Sequence, residues 1–122
     1  MLLYPVPEVG VHVPKELLKK INGKFLKARK AIRDDPVTTS YEVYKKRVEK
    51  SVRILDGITE NRIYRIKPSE IFCDSEIKGR CITHNTEVSF YRDDDHLSKF
   101  GAELIVEEFK ELILSEGFHY QY

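Results

Sequence analysis

Apolar positions along the chain follow two periods, and the switches between them mark out its elements. Leu2-Leu3-Tyr4-Pro5-Val6-Pro7 reads as a short buried strand running into a loop, because Pro5 and Pro7 lack the amide a central strand needs. A helix is predicted from about 14 to 32: Pro14 suits its first turn, and Leu17, Leu18, Ile21, Phe25 and Ala28 recur at helical spacing. Gly23 weakens it, and Asp34-Asp35-Pro36 breaks it. Thr39 and Glu42 have the spacing of a capping box. They open a second helix, about 40 to 56, that buries Tyr41, Tyr44, Val48, Val52 and Leu55 and ends at Asp56-Gly57. Arg62 to Ile66 alternates as a strand until Pro68 stops it. Ile82 to Phe90 holds two short β-like pieces around a turn at His84-Asn85. A final helix, about 96 to 115, turns Ala102, Ile105, Val106, Phe109, Leu112 and Ile113 inward. This order implies an α/β fold, with helices covering a mostly parallel sheet.

Composition narrows the setting. A chain of 122 residues accommodates one domain, and 41% apolar residues with 13 aromatics suffice for a core. Charge is dense but balanced, 21 basic against 20 acidic, so no global field points to nucleic acid. The first helix still has a basic face of Lys15, Lys19, Lys20, Lys24, Lys27, Arg29, Lys30 and Arg33. It is either a solvated surface or a site for anionic lipid or polysaccharide. No apolar run approaches the roughly 20 residues of a membrane helix. Met1-Leu-Leu-Tyr-Pro-Val-Pro is not a signal peptide, so the chain taken alone belongs in the cytoplasm. Cys73 and Cys81 bracket a short loop that Gly79 lets turn tightly. They are either two unpaired thiols or a disulfide, which would contribute roughly 2–3 kcal/mol and need an oxidising compartment.

The candidate chemistry lies between Tyr91 and Ala102. Asp93 precedes His96 by three residues where a loop becomes the last helix. In a Ser-His-Asp triad the His relays the nucleophile's proton, and the Asp fixes its tautomer through the other ring nitrogen. At this spacing both side chains can reach one pocket. His96 is expected in the first helical turn, where the positive dipole end disfavours imidazolium. The Asp93 carboxylate acts the other way, and the balance suits a base near neutral pH. Asp94 or Asp95 is expected to cap the helix, and the cap is assigned to Asp95. The plain counterpart is an acidic helix start and nothing more. A divalent-metal site of three Asp and one His is conceivable, but consecutive Asp side chains diverge, so no metal is assigned.

The wider context of this run carries a resemblance. Asp93-x-Asp95-His96-Leu97-Ser98-x-x-Gly101-Ala102 resembles the final block of the SGNH hydrolases. It is most similar to the version in the periplasmic domain of bacterial acyltransferase-3 proteins, the membrane-bound sugar O-acyltransferases. Tyr4 to Pro14, with Pro7-Glu8-Val9-Gly10, looks like the family's Pro-Glu-x-Gly stretch after an inner strand. Tyr64 to Pro68, running into Ile71-Phe72-Cys73, resembles the strand before its first Cys, with Lys67 where an acidic residue is expected. Cys81 and Phe90-Tyr91-Arg92-Asp93 resemble its second Cys and the aromatic lead-in to the catalytic Asp.

The resemblance implies an incomplete three-layer α/β/α fold of the flavodoxin-like SGNH type. About five parallel strands belong to the whole, and this chain would keep two, with a small β-hairpin and a C-terminal helix. Residues 1–122 would then be the C-terminal portion of a single SGNH-like domain, and the edge beside Leu2-Leu3-Tyr4 would be apolar and unpaired. It further implies that Asp93 orients, that His96 is the general base, and that Cys73–Cys81 is a periplasmic disulfide. No Gly-Asp-Ser occurs, and Ser40, Ser51, Ser69, Ser75, Ser89, Ser98 and Ser115 stand in no nucleophile context. Ser98 is expected to support the helix start.

The expected function is therefore part of an acyl-transfer or esterase domain of a polysaccharide O-acetyltransferase, inactive without its nucleophile and oxyanion blocks. No cofactor is expected; the acyl donor would be the parent's membrane domain or acyl-CoA. The expected partners are the N-terminal part of the same domain or a membrane acyltransferase domain, a carbohydrate acceptor, and a second copy through the apolar edge. The expected location is the periplasmic side of the inner membrane as part of the parent. The alternative is a non-enzymatic α/β binding or oligomerisation module.

Overall fold

The structure, a computed structural model, describes residues 1–116. It is mixed α/β. The elements run β1 (Leu2–Leu3), α1 (Val13–Ile21), α2 (Ala28–Asp34), β2 (Thr38–Ser40), α3 (Tyr41–Asp56), β3 (Arg65–Ile66), α4 (Pro68–Phe72), β4 (Arg80–Ile82) and α5 (Lys99–Ser115). β1 pairs parallel with β3, Leu2 opposite Arg65 and Leu3 opposite Ile66. β2 pairs antiparallel with β4, from Thr38 opposite Ile82 to Ser40 opposite Arg80. The short parallel sheet matches the expected partial α/β/α arrangement. β2 and α4 were not legible as elements, because three residues and five residues are too short to show a period.

The largest departure is the first helix. The expected single helix over 14–32 is two helices, α1 and α2, joined by a 3-10 turn at Phe25–Lys27. Asn22 leaves the helical conformation, and Gly23 takes φ +71°, a left-handed value that ends helices. The chain folds back so that α2 packs on α1 and buries Ile32. Leu17 still reaches the core, but Leu18 faces solvent and Phe25 and Leu26 are 97% and 99% exposed. The inward stripe expected of Phe25 is thereby overturned.

Two caps also shift. Ser40, not Thr39, caps α3, its hydroxyl accepting from the Val43 amide, so the Thr39/Glu42 capping box does not form. Thr39 lies instead in β2. α3 buries Tyr44 and half-buries Tyr41, Val48, Val52 and Leu55 as expected. On α5, Ile105, Phe109, Leu112 and Ile113 are half-buried, but Ala102 and Val106 face outward. The β1–β3 pair is tied to α3 by Arg65, which donates to the carbonyls of Leu55 and Ile58 and to the Tyr4 hydroxyl. Tyr4 in turn donates to Asp56 Oδ1 at 2.6 Å.

The core joins these parts around Val13, Val37, Phe72, Cys73, Cys81, Phe90 and Tyr91. Cys73 and Cys81 form a disulfide within it, linking the end of α4 to β4. The Phe72 ring meets both Phe90 and Tyr91, and the fully buried Tyr91 donates its hydroxyl to the Pro7 carbonyl at 2.7 Å. Burial raises the Tyr91 phenol well above its ordinary pKa, so that hydroxyl remains a donor. This aromatic wedge sets the start of the loop that carries Asp93 and His96.

Candidate active site

The loop from Phe90 to Ser98 is closed at its neck. Ser98 N donates to Phe90 O at 2.8 Å, Arg92 N donates to His96 O at 3.0 Å, and Tyr91 pairs with Leu97 as an antiparallel bridge. The tip is anchored to the segment before α1: Val9 N donates to Asp94 O at 2.8 Å and Val13 N to Asp93 O at 3.3 Å. Gly101 makes the neck possible. A Cβ on Gly101 would lie 2.2 Å from Phe90 O, so only glycine lets the first turn of α5 press against that carbonyl.

Inside this frame Asp93 performs two jobs. Its Oδ1 accepts from the amides of Asp95 at 3.0 Å and His96 at 2.7 Å, a local turn that holds the carboxylate in place. Its Oδ2 lies 2.9 Å from His96 Nδ1, with Nδ1–H as donor. The His96 amide first, then the Asp95 amide and the His96 ring, hold the Asp93 carboxyl at a pKa of about 2. It is therefore a carboxylate throughout the neutral pH range. Asp95 Oδ1 lies 2.7 Å from the same ring nitrogen. Nδ1 is engaged, and among the described residues no hydrogen-bond partner occupies Nε2 of the exposed His96.

Two expectations about this run are corrected. Asp95 is not the helix cap: Ser98 is, accepting from Gly101 N at 3.3 Å while donating to Ser89 O at 2.7 Å. Neither Asp94 nor Asp95 caps α5, because the helix starts at Lys99, three residues later than expected. His96 accordingly lies before the helix and not in its first turn, so the dipole argument does not apply to it. The support expected of Ser98 is present.

Besides Ser98, four further serines are occupied with structure. Ser40 caps α3, Ser75 donates to Phe72 O, Ser89 to Tyr91 O at 2.6 Å, and Ser115 to Leu112 O. His84, unlike His96, is buried, and it is structural. Its Nε2 accepts from Val37 N at 2.9 Å and its Nδ1 bonds the Asn85 carbonyl at 2.8 Å. The turn beyond it spans Asn85 to Val88, one step later than expected, with Asn85 Oδ1 accepting from the Glu87 and Val88 amides. Asp93, Asp95 and His96 also offer donor atoms within 4.8 Å of one another that a cation could take, but these donors already bind one another and the loop amides. A groove of about 520 Å³ lies apart from them, walled by Tyr4, Tyr41, Tyr44 and Lys67.

A loop-borne Asp that orients a His through Nδ1 and leaves Nε2 to solvent has the geometry that the acid–base half of a hydrolytic triad requires. Comparison with known proteins gives the chain a family. The family model described as "SGNH domain (fused to AT3 domains)" matches residues 1–111. The chain belongs to the SGNH domain family. The matched span takes in both cysteines, the Asp93–His96 loop and most of α5 of this SGNH domain. No curated protein and no solved structure matches the chain. Among the described residues, no helix of the SGNH domain is long and apolar enough to cross a membrane.

Proposed function

We propose that the chain supplies the Asp and His of a Ser-His-Asp acyl-transfer centre in a polysaccharide O-acetyltransferase. Asp93 holds the tautomer, and His96 Nε2 takes the proton from a serine and returns it to the leaving group. The nucleophile and the oxyanion donors come from a segment of the domain beyond these 122 residues, so the chain alone is inactive. The observation that carries this reading is the 2.9 Å contact from Asp93 Oδ2 to His96 Nδ1 on a loop closed at both ends. The acceptor is a carbohydrate, and the acyl group arrives from a membrane acyltransferase domain or acyl-CoA. The Cys73–Cys81 disulfide favours a periplasmic site for it.

The test joins this chain to the reading frame upstream of Met1 and assays p-nitrophenyl acetate. A Gly-Asp-Ser segment there, with activity abolished by His96→Ala, supports the reading. Hydrolysis by the 122-residue chain alone that His96→Ala removes would mean the nucleophile lies within it, and would overturn the divided site. A second reading rests on the exposed Met1 and Leu3 at β1, whose one strand partner among the described residues is β3. Through that edge the chain is an oligomerisation module; an inactive joined protein and a dimer by light scattering would favour it.

A further inference from the structure

The loop that breaks the first helix exposes two large apolar side chains for which the fold has no use. Phe25 and Leu26 are 97% and 99% exposed, at the tip between α1 and α2, and Leu18 beside them is 63% exposed. Leu18, Ile21 and Phe25 wall one shallow depression with Lys19, Asn22 and Gly23. Exposed apolar groups scattered singly need no explanation, but adjacent ones at the tip of a protruding turn are a contact surface.

The charge around this tip is one-sided. Residues 15–33 hold Lys15, Lys19, Lys20, Lys24, Lys27, Arg29, Lys30 and Arg33 against Glu16 alone. Several are neutralised: Lys19 pairs with Glu16, Lys20 with Asp35, Arg29 with Glu87, and Lys30 with Asp34. Lys24 and Lys27, which flank Phe25 and Leu26 directly, and Lys15 make no ion pair among the described residues. Two of the three cations left without an ion pair thus flank the apolar tip.

We propose that this tip is a membrane-surface anchor. Phe25 and Leu26 enter the boundary between headgroups and acyl chains of an anionic bilayer, and Lys24 and Lys27 bind its phosphates. An apolar pair set between free lysines fits that layered surface, apolar below and anionic above. A polyanionic sugar would match the lysines but leave the phenyl ring in water. The anchor is independent of the Asp93–His96 chemistry, so either can fail without the other.

The chain has no tryptophan, so Phe25→Trp places a single reporter at the tip. With vesicles of phosphatidylglycerol and phosphatidylcholine its emission should shift to the blue and become shielded from acrylamide. With phosphatidylcholine alone it should change little. In vesicle co-sedimentation Lys24→Gln and Lys27→Gln should each weaken binding about fivefold, and raised salt should weaken it further. Phe25→Ser with Leu26→Ser should weaken it at least about tenfold without altering the fold, because both side chains are solvent-exposed. No blue shift with anionic vesicles would overturn the proposal. So would a shift already present without vesicles, which would mean a second copy covers the tip, or an equal response to dextran sulfate, which would indicate a polyanion site.

Discussion

His84 and His96 are the same side chain held in opposite ways, and the difference lies in how many ring nitrogens the fold consumes. At His84 both are taken: Nδ1 by the Asn85 carbonyl and Nε2 by the Val37 amide, in a buried position. At His96 the Asp93 carboxylate holds Nδ1 on an exposed loop, leaving the other nitrogen available. A histidine saturated by backbone groups cannot exchange a proton without breaking a structural bond. One that is oriented through a single nitrogen can. The two sites are connected through Phe90, whose amide donates to Thr83 O and whose carbonyl accepts from Ser98 N. The segment that carries His84 is thus bonded to the neck of the loop that presents His96.

The most damaging change falls on that connection. Gly101→Ala puts a methyl 2.2 Å from Phe90 O and 3.0 Å from Leu97 Cδ2, so α5 must move off the neck. Overpacking against backbone at this distance should cost about 4 kcal/mol in urea denaturation. It should also disturb the Asp93–His96 contact, visible as a changed His96 ring resonance. Unaltered stability would mean that the loop is held by something other than the Ser98–Phe90 closure.

Next comes His84→Ala. It leaves the Val37 amide without its acceptor and opens a cavity, for an expected loss of about 3 kcal/mol. The same site sets a pH dependence. Burial lowers the His84 pKa below 6.5, so the unfolded chain binds the extra proton more readily. Stability is then complete above about pH 6.5 and falls as the pH drops below it. Asp93 works in a lower window: its carboxyl, held at about 2 against 3.8, contributes stability above pH 3.8 that is lost as pH falls toward 2. Denaturation curves from pH 8 to 3 should therefore show a first decline near pH 6 that His84→Gln abolishes. His96→Gln should leave that decline in place, and loss of it there would break the contrast between the two histidines. Reducing the Cys73–Cys81 bond should cost somewhat less than the His84 change, about 2–3 kcal/mol.

What could be read from the chain follows the range of the interactions. The Asp93–His96 contact is an i, i+3 relation within one loop, so spacing alone reveals it. The cap beside it was misassigned because Asp94, Asp95 and Ser98 are all good cap residues. The choice is made by the fit of Gly101 under Phe90 O, a contact between segments eleven residues apart. The role of His84 was invisible for the same reason, since its partner Val37 is 47 residues away. The first helix misled in the opposite direction. Its apolar period is real, but Asn22-Gly23 ends the helix before Phe25 can use it.

The smallest effect on stability belongs to the residue with the largest proposed role. His96→Ala removes an exposed ring whose contacts are to the exposed or half-exposed carboxylates of Asp93 and Asp95, and the Asp93 carboxylate keeps its two amide partners without it. Stability should change by no more than about 0.5 kcal/mol, the range of ordinary surface substitutions. The loop backbone should keep its amide exchange protection. In the joined, nucleophile-bearing protein the same change should lower hydrolysis of p-nitrophenyl acetate by at least about 10³-fold. A loss of 2 kcal/mol or more would place His96 with His84 as a structural residue. A preserved rate in the joined protein would remove it from the chemistry.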